Sequence, residues 1–468
     1  MFALSLDIGT SCRKAAIFAR DGEMLACVRS DVTPHEDDDG NLWYDPEALT
    51  GAIFGMIHEL PEKLRRGVEI IGITGMAEGG LLIDACGQPL CDAMPWNTPL
   101  SRKVYEAYLH GATEARFLKT GLHASYKHSV FKVLALEPQN DAMWLGLPEY
   151  VAFRFCGVRR TVPSLAARTN ACDVHSGAWD TAFMSSLGLC ERVFASIVPE
   201  GLPIGGLLPG AAVLTGLPEG TPVTICGHDH LCALYGTGVN NIKEVLISAG
   251  TAQAVLGILD SLEGMDPGSG LSYGPYIQPC RWVWMGGLQA AGGSINWIRD
   301  LLYPQGGNDE ILKEADSLPD VPGEPLFFPF LNGRNARKPK PAGAFFGLSS
   351  LHKRGALLQA VYEGLAYETR SLLASCPVKP EKLVVTGGLS RHTKYMQILS
   401  NVMGLELSVC QQTESVLRGS ALLALGVTAQ KGARITYSPG KEAVHRFDEA
   451  YLQRYLPMRR KVFEHDDT

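Results

Sequence analysis

The chain has 468 residues, a formal net charge of −7 and 46% apolar residues, enough for two to three domains with sizeable cores. The acidic balance excludes the basic face of a nucleic-acid-binding domain, and apolar runs interrupted well short of about 18 residues exclude a membrane-spanning helix. Twelve cysteines without a C-x-x-C pair exclude a disulfide framework and a structural zinc site; the strand-like start shows no leader pattern, so a cytoplasmic protein without a signal peptide is expected.

Alternating apolar residues over 2–18 predict a hairpin turning at Gly9-Thr10-Ser11. Asp7 is the polar residue on its first strand. It is either a turn-capping aspartate or a carboxylate beside a phosphate loop, able to hold Mg²⁺ through water. Gly9 permits close backbone approach, the Thr10 and Ser11 amides and hydroxyls suit phosphate oxygens, and Arg13 or Lys14 adds charge. Asp45 as N-cap and Pro46 at the first helical position start a helix running to about residue 64. Strands are expected at 68–74 and 81–84, joined by a loop of small residues on which Glu78 is the long polar side chain. Glu78 is either a solvated loop acid or a ligand contact. Trp96 is either core or an apolar wall for a carbon skeleton. Residues 115–160 read as helical, 164–179 as a strand pair, and the Gly- and Pro-rich 199–222 as a connecting loop.

At the centre, 223–226 read as a strand, followed by a loop carrying Asp229 between His228 and His230, then a closely packed helix ending in Gly236-Thr237-Gly238. Residues 245–256 repeat the N-terminal shape: strand, Gly250-Thr251 turn, strand. This repetition predicts duplicated halves facing one ligand, divided into 1–239 and 240–468 at Asn240-Asn241. A zinc cluster at His228-Asp229-His230 is not expected, because successive extended side chains point apart. Farther on, Gly292-Gly293 opens a helix whose N-terminus suits an anion or a nucleotide edge. A basic, Pro-rich loop extends to residue 343. Residues 357–373 form an amphipathic helix, 383–386 a buried strand entering Gly387-Gly388, 393–403 a helix, and 418–424 a small-residue helix. The charged tail from 442 reads as a surface helix. Gly270-Leu271-Ser272-Tyr273-Gly274 matches a serine-hydrolase pattern but lacks the preceding long apolar strand. No P-loop or complete dinucleotide fingerprint occurs.

In order and spacing, these motifs resemble the FGGY carbohydrate kinases over nearly the whole chain. The resemblance implies an α/β fold of two ribonuclease-H-like domains of the actin/Hsp70/sugar-kinase type, with an interdomain active-site cleft. It implies ATP and Mg²⁺ as cofactors and transfer of phosphate to a hydroxyl of a small sugar or polyol. Asp229 falls on the family's general base, and Asp7 and Asp229 on its metal site. Gly9, Thr10, Ser11, Arg13 and Lys14 look like the first phosphate loop, and Gly250 and Thr251 like the second. Gly292 and Asn296 align with a nucleotide-contacting helix start, and Gly387 and Gly388 with the adenosine turn. His392 stands where the family often has asparagine. Glu78, Trp96 and His230 align with substrate contacts. Ala77 replaces the arginine of glycerol kinases, and Asn97-Thr98-Pro99-Leu100 follow the tryptophan where many members have Asp and Arg, so no particular sugar is assigned. The assembly is left open, a homodimer included. The rival reading is a non-catalytic or ATPase nucleotide-gated sensor of the same superfold.

Overall fold

A computed structural model of the chain describes residues 2–463 apart from 112, 140, 305, 306, 335–339 and 413. The first half contains β1 (Phe2–Ile8), β2 (Cys12–Ala19), β3 (Met24–Asp31), α1 (Pro46–Glu59), β4 (Val68–Gly75), α2 (Ser129–Ala135), α3 (Pro163–Ala167), β5 (Pro203–Gly206), β6 (Pro222–His228) and α4 (Asp229–Gly236). The second half contains β7 (Glu244–Ala249), β8 (Gln253–Leu259), β9 (Ser272–Pro275), β10 (Trp282–Leu288), α5 (Ala291–Leu302), α6 (Arg354–Leu373), β11 (Lys382–Thr386), α7 (Thr393–Met403), β12 (Glu406–Cys410), α8 (Ser415–Ala424) and β13 (Arg434–Tyr437).

The first half builds one sheet in the order β5-β6-β4-β1-β2-β3, and the second builds β9-β10-β8-β7-β11-β12-β13. In the first, β1, β4 and β6 run parallel and β2 returns antiparallel. In the second, β7, β11 and β12 run parallel and β8 returns antiparallel. Strand for strand, β1-β2-β4-β6 repeats as β7-β8-β11-β12, down to the register: Asp7 lies opposite Lys14 and Thr74, Ser248 opposite Ala254 and Thr386. The central strands are buried on both faces, as sheets covered by helices require. Leu4, Leu6, Val245 and Ile247 are among the fully buried side chains.

The helices that follow the last parallel strand of each half, α4 and α8, pack on each other. A methyl added at Gly236 or Gly419 would run into the facing helix backbone, at Ser415 and Cys232 respectively. Their small residues let the two backbones approach, and an apolar cluster containing Leu231, Leu246, Val384 and Leu422 seals the junction across both halves.

Several expected elements differ from the sequence reading. Helix α1 starts as read, with Asp45 accepting from the Ala48 N–H at 2.6 Å. It stops at Glu59, because Leu60 precedes Pro61 and is pushed into extended backbone. Residues 115–160 are not continuously helical. Gly121 caps one helix in left-handed backbone, and Trp144 sits on a strand, Met143–Gly146, paired with Gly80–Ile83. The stretch from 164 opens in helix α3, with Pro163 in its first turn, and the strand pair shrinks to Cys172–Asp173 and Ala178–Trp179. The 199–222 loop contains β5 and a helix, Pro209–Thr215, with Pro at its start and left-handed Gly216 at its end; these are helix boundary signals rather than loop signals. The tail is not a surface element: Phe447, Tyr455 and Phe463 are buried in the second core. Of the basic, Pro-rich loop, 335–339 lie outside the described residues. Ser272 begins an edge strand and donates to the Met285 carbonyl at 3.1 Å, so it is no nucleophile elbow. Among the described residues, no helix is long and apolar enough to cross a membrane.

Candidate active site

Because β1, β4 and β6 run parallel, their C-terminal ends share one edge, where ligands of open α/β sheets sit. That edge carries Asp7 at the end of β1, Glu78 just after β4 and Asp229 just after β6. No loop separates Asp229 from the strand; it is the first residue of α4, and His228 is the N-cap. Gly227 makes the turn with φ 95°, and a side chain there would strike the Ser164 hydroxyl. The Ser164 Oγ accepts from the His228 N–H at 3.2 Å. Asp229 Oδ1 accepts from the His230 N–H at 2.6 Å and lies 3.2 Å from His228 Nε2.

Burial raises the Asp229 carboxyl above the ordinary carboxylate range; the His230 N–H opposes this, the Glu78 charge adds to it, and Arg168 opposes it. Asp7 is raised as well, first by burial and then by the Asp229 charge, with Lys14 pulling it back. One Asp7 oxygen, Oδ1, is buried without a hydrogen-bond partner. Two carboxylates held near each other, one with an unpaired oxygen, form a donor set suited to a hard divalent cation, so Mg²⁺ fits here. Burial keeps both neighbouring imidazoles neutral, taking His230 down to about 4. The donor atoms of His228, Asp229 and His230 all lie within 4.8 Å of one another. The sequence argument for divergent side chains fails because the backbone changes from strand to helix between His228 and Asp229.

Glu78 adopts left-handed backbone, φ 67°, a conformation that costs a non-glycine residue about 1 kcal/mol or more and is found preferentially at functional sites. Its Oε1 accepts from Arg168 Nε at 2.9 Å and from Arg168 Nη2 as well. The sequence reading leaves Glu78 as a solvated loop acid or a ligand contact; here one of its oxygens is occupied by arginine. Trp96 donates from Nε1 to Thr10 Oγ1 at 3.0 Å, tying the pocket wall to the first Gly-Thr turn. The Lys127 ammonium lies 4.5 Å from the centre of the Trp96 ring. Behind it, fully buried Lys132 donates to the Trp96 carbonyl at 3.1 Å and to the Lys127 carbonyl; burial takes its pKa down to about 7. Arg168, Lys127 and Lys132 were not singled out as site residues in the sequence. Arg168 lies within the 164–179 stretch, which reads in the sequence only as a strand pair.

In the first Gly-Thr turn, a methyl on Gly9 would come within 2.5 Å of the Cys12 carbonyl oxygen. The Thr10 carbonyl accepts from the Tyr44 hydroxyl at 2.7 Å, and Ser11 is exposed. Arg13 and Lys14 point to opposite faces, as neighbours on a strand must. Arg13 is buried over the Tyr44 ring, 5.2 Å from its centre. Lys14 faces Asp7 and forms an ion pair with Glu414 at 2.7 Å.

The second turn forms a cluster of its own. The Gly292 N–H donates to the Gly250 carbonyl at 3.0 Å, and the Gly293 N–H to Thr251 at 2.9 Å, pinning the start of α5 against the turn. Gly387, at φ 95°, closes on the same place; a side chain there would come within 2.5 Å of the Ala249 carbonyl oxygen. Gly388 faces open space. His392 Nδ1 lies 2.8 Å from the Tyr362 hydroxyl, and burial followed by Arg299 takes its pKa down to about 4. Asn296 is exposed on α5 and accepts from Arg299 at 3.0 Å. Gly250, Thr251, Gly292, Gly387 and Gly388 are thus brought together, with His392 one short turn away and Asn296 on the solvent side of α5.

Residues 2–236 match the N-terminal domain of the FGGY family of carbohydrate kinases, and residues 245–426 match its C-terminal domain. L-fuculokinase of Salmonella typhi is 26% identical over 447 residues, covering 90% of this chain and 91% of that protein. Xylulose kinase of Escherichia coli K12 is 25% identical over 482 residues, covering 97% and 94%. Among solved structures, the ligand-bound xylulose kinase of Lactobacillus acidophilus superimposes with a TM-score of 0.89 at 18% identity over 100% of both chains, a likeness of fold. With both domains matched over most of its length and its two sheets in the actin/Hsp70-like arrangement, the chain belongs to the FGGY family of carbohydrate kinases and is an ATP-dependent phosphotransferase acting on sugars.

Proposed function

We propose that Asp229 is the general base of this transfer, acting on a hydroxyl of a small sugar or polyol held between Glu78, Trp96 and His230. The observation that carries this reading is the placement of Asp229: a carboxylate at a helix start with 24% of its side-chain surface exposed, on the same strand edge as Asp7 and Glu78. Asp229 takes the proton of the acceptor hydroxyl as its oxygen bonds to the γ-phosphorus. The bond from that phosphorus to the β,γ-bridging oxygen breaks, and ADP leaves with the electron pair. The backbone amides around Gly9 and Gly250 donate to phosphate oxygens, Lys14 adds positive charge from the Asp7 side, and Gly292, Gly387 and Gly388 make room for the nucleotide. Asp7 and Asp229 would hold Mg²⁺, which when bound neutralises phosphate charge. The division into substrate and nucleotide halves falls between residues 239 and 240, so that closure of the halves excludes water from the transfer.

The test is an ADP-release assay over a panel of ketoses, aldoses, polyols and sugar acids, with Mg²⁺ and with chelator. Acceptor-dependent, Mg²⁺-dependent ADP release that disappears in Asp229→Asn supports the reading. ADP release equal with and without every acceptor points instead to an ATPase.

A further inference from the structure

On the substrate side of the cleft, the charges do not cancel. Glu78 is already answered by Arg168, whose Nε and Nη2 both address Glu78 Oε1. Asp7 and Asp229 lie at the phosphate end. Two further lysines remain at the Trp96 wall. Lys132 is fully buried, with two backbone carbonyls as its partners. Lys127 is half-buried over the Trp96 ring, and among the described residues no carboxylate forms an ion pair with it. Its surroundings contain one attracting group, Glu78, against the repelling charges of Arg168 and Arg102. A partly desolvated ammonium without a counter-charge is unfavourable unless a ligand supplies one.

A neutral polyol leaves that imbalance in place. A carboxylate beside Lys127 removes it, with an ammonium–carboxylate bond made away from bulk water. Trp96 supports such a geometry: its face carries Lys127, its carbonyl anchors Lys132, and its indole N–H is fixed on Thr10. The wall is therefore held from three directions, and the Lys127 ammonium over it lies within electrostatic reach of both Glu78 and Arg168. Lys132 also accounts for the position of Lys127. By bonding the Lys127 carbonyl from beneath, it fixes the backbone from which that ammonium projects.

We propose that Lys127 is a specificity-determining residue that binds a carboxylate at the end of the acceptor remote from the reacting hydroxyl, so that the preferred substrate is a sugar acid. This rests on the reading of the cleft as a sugar-kinase site and narrows its substrate class. Lys127 contacts the far end of the acceptor and takes no part in proton transfer, so its loss appears in KM far more than in kcat.

The experiment compares four- to six-carbon aldonates, each with the alditol of the same configuration, in ADP release and in calorimetric titration, for wild type, Lys127→Met and Lys127→Arg. Wild type is expected to favour at least one aldonate over its alditol by about tenfold or more in kcat/KM, the usual worth of a buried charge-assisted bond. Lys127→Met should raise KM for that aldonate by about tenfold or more with a smaller change in kcat, and Lys127→Arg should recover much of the loss. Calorimetry on the same three proteins should follow the same order for the aldonate. Two results overturn the proposal: a wild type that phosphorylates neutral acceptors while refusing every acid, or a Lys127→Met variant whose aldonate affinity is unchanged. The first leaves the sugar-kinase reading standing. ADP release that no acceptor stimulates, with no aldonate bound in calorimetry, removes both.

Discussion

In the first half the strand entering the Gly-Thr turn has Asp7 as its last but one residue, and in the second half the matching strand has Ser248 there; the residues opposite them are Lys14 and Ala254. The same contrast holds one strand farther out. After β6 the chain starts a helix with Asp229 at its first position, whereas after β12 it starts one with Glu414 at the N-cap, and that carboxylate is spent on Lys14 across the junction. One topology thus carries a charged edge and a neutral, glycine-lined edge. The difference is what a phosphoryl transfer needs. A nucleotide triphosphate is a polyanion, and a second set of buried carboxylates would repel it, whereas open backbone amides and absent side chains admit it. Duplication supplies two equivalent strand edges, and side-chain choice gives them different chemistry.

The sharpest way to break this division is to neutralise the charged edge alone. Asp229→Asn should lower kcat by roughly 10²–10⁴-fold, the range for a positioned base, while nucleotide affinity by calorimetry stays close to wild type. Comparable loss of both would mean that the two edges do not act separately. The converse change fills the neutral edge. A methyl built on Gly250 meets nothing nearer than the Ala252 carbonyl at 3.4 Å, so the fold accepts a side chain there. Gly250→Val should therefore leave thermal stability nearly intact and weaken nucleotide binding by about tenfold or more, or about 1.4 kcal/mol. Unchanged nucleotide affinity would place the phosphates elsewhere.

Glu78→Gln sharpens the comparison within the charged edge. It removes the charged half of the Arg168 pair and should raise the acceptor KM by about tenfold while sparing that of ATP. It also moves the pH profile. A base works when deprotonated, so the rate falls as pH drops through its pKa. Glu78 raises the pKa of Asp229 and Arg168 lowers it; without the glutamate charge, the acid limb of kcat should shift to lower pH. A limb that stays put, or moves up, contradicts the electrostatic link between the two acids. The smallest effect belongs to the bond between the halves. Lys14 and Glu414 keep 25% and 23% of their side-chain surface exposed, so Glu414→Gln should lower unfolding stability by less than about 1 kcal/mol in chemical denaturation. A larger loss would make that ion pair a principal fastener of the cleft.

What the sequence made legible was local. The two Gly-Thr hairpins, the Asp45-Pro46 helix start and the small-residue helix at 418–424 each announce themselves through neighbours in the chain. Glu78 stands out in the same way, because glycine and alanine surround it. Its partner Arg168 lies 90 residues away in the chain, and no local pattern tells an arginine that it will meet a particular carboxylate. The burial of Lys132 is equally a tertiary fact: the periodicity of α2 says which face is covered, not that an ammonium will be capped by carbonyls from Trp96 and Lys127. The misread tail shows the same limit. Its charged residues mark the outer face of the closing helices, while Phe447, Tyr455 and Phe463 on the inner face seal the second core.

At the junction of the halves the closest approach is between backbones. At Gly236 and Gly419 the chains of α4 and α8 meet directly, with Leu231 and Leu422 packed around the contact and the Arg418 guanidinium bonded to the Gly236 carbonyl. Asp229 is the first residue of α4, so the carboxylate that the first half presents to the cleft stands on the very helix that is fastened backbone to backbone to the second.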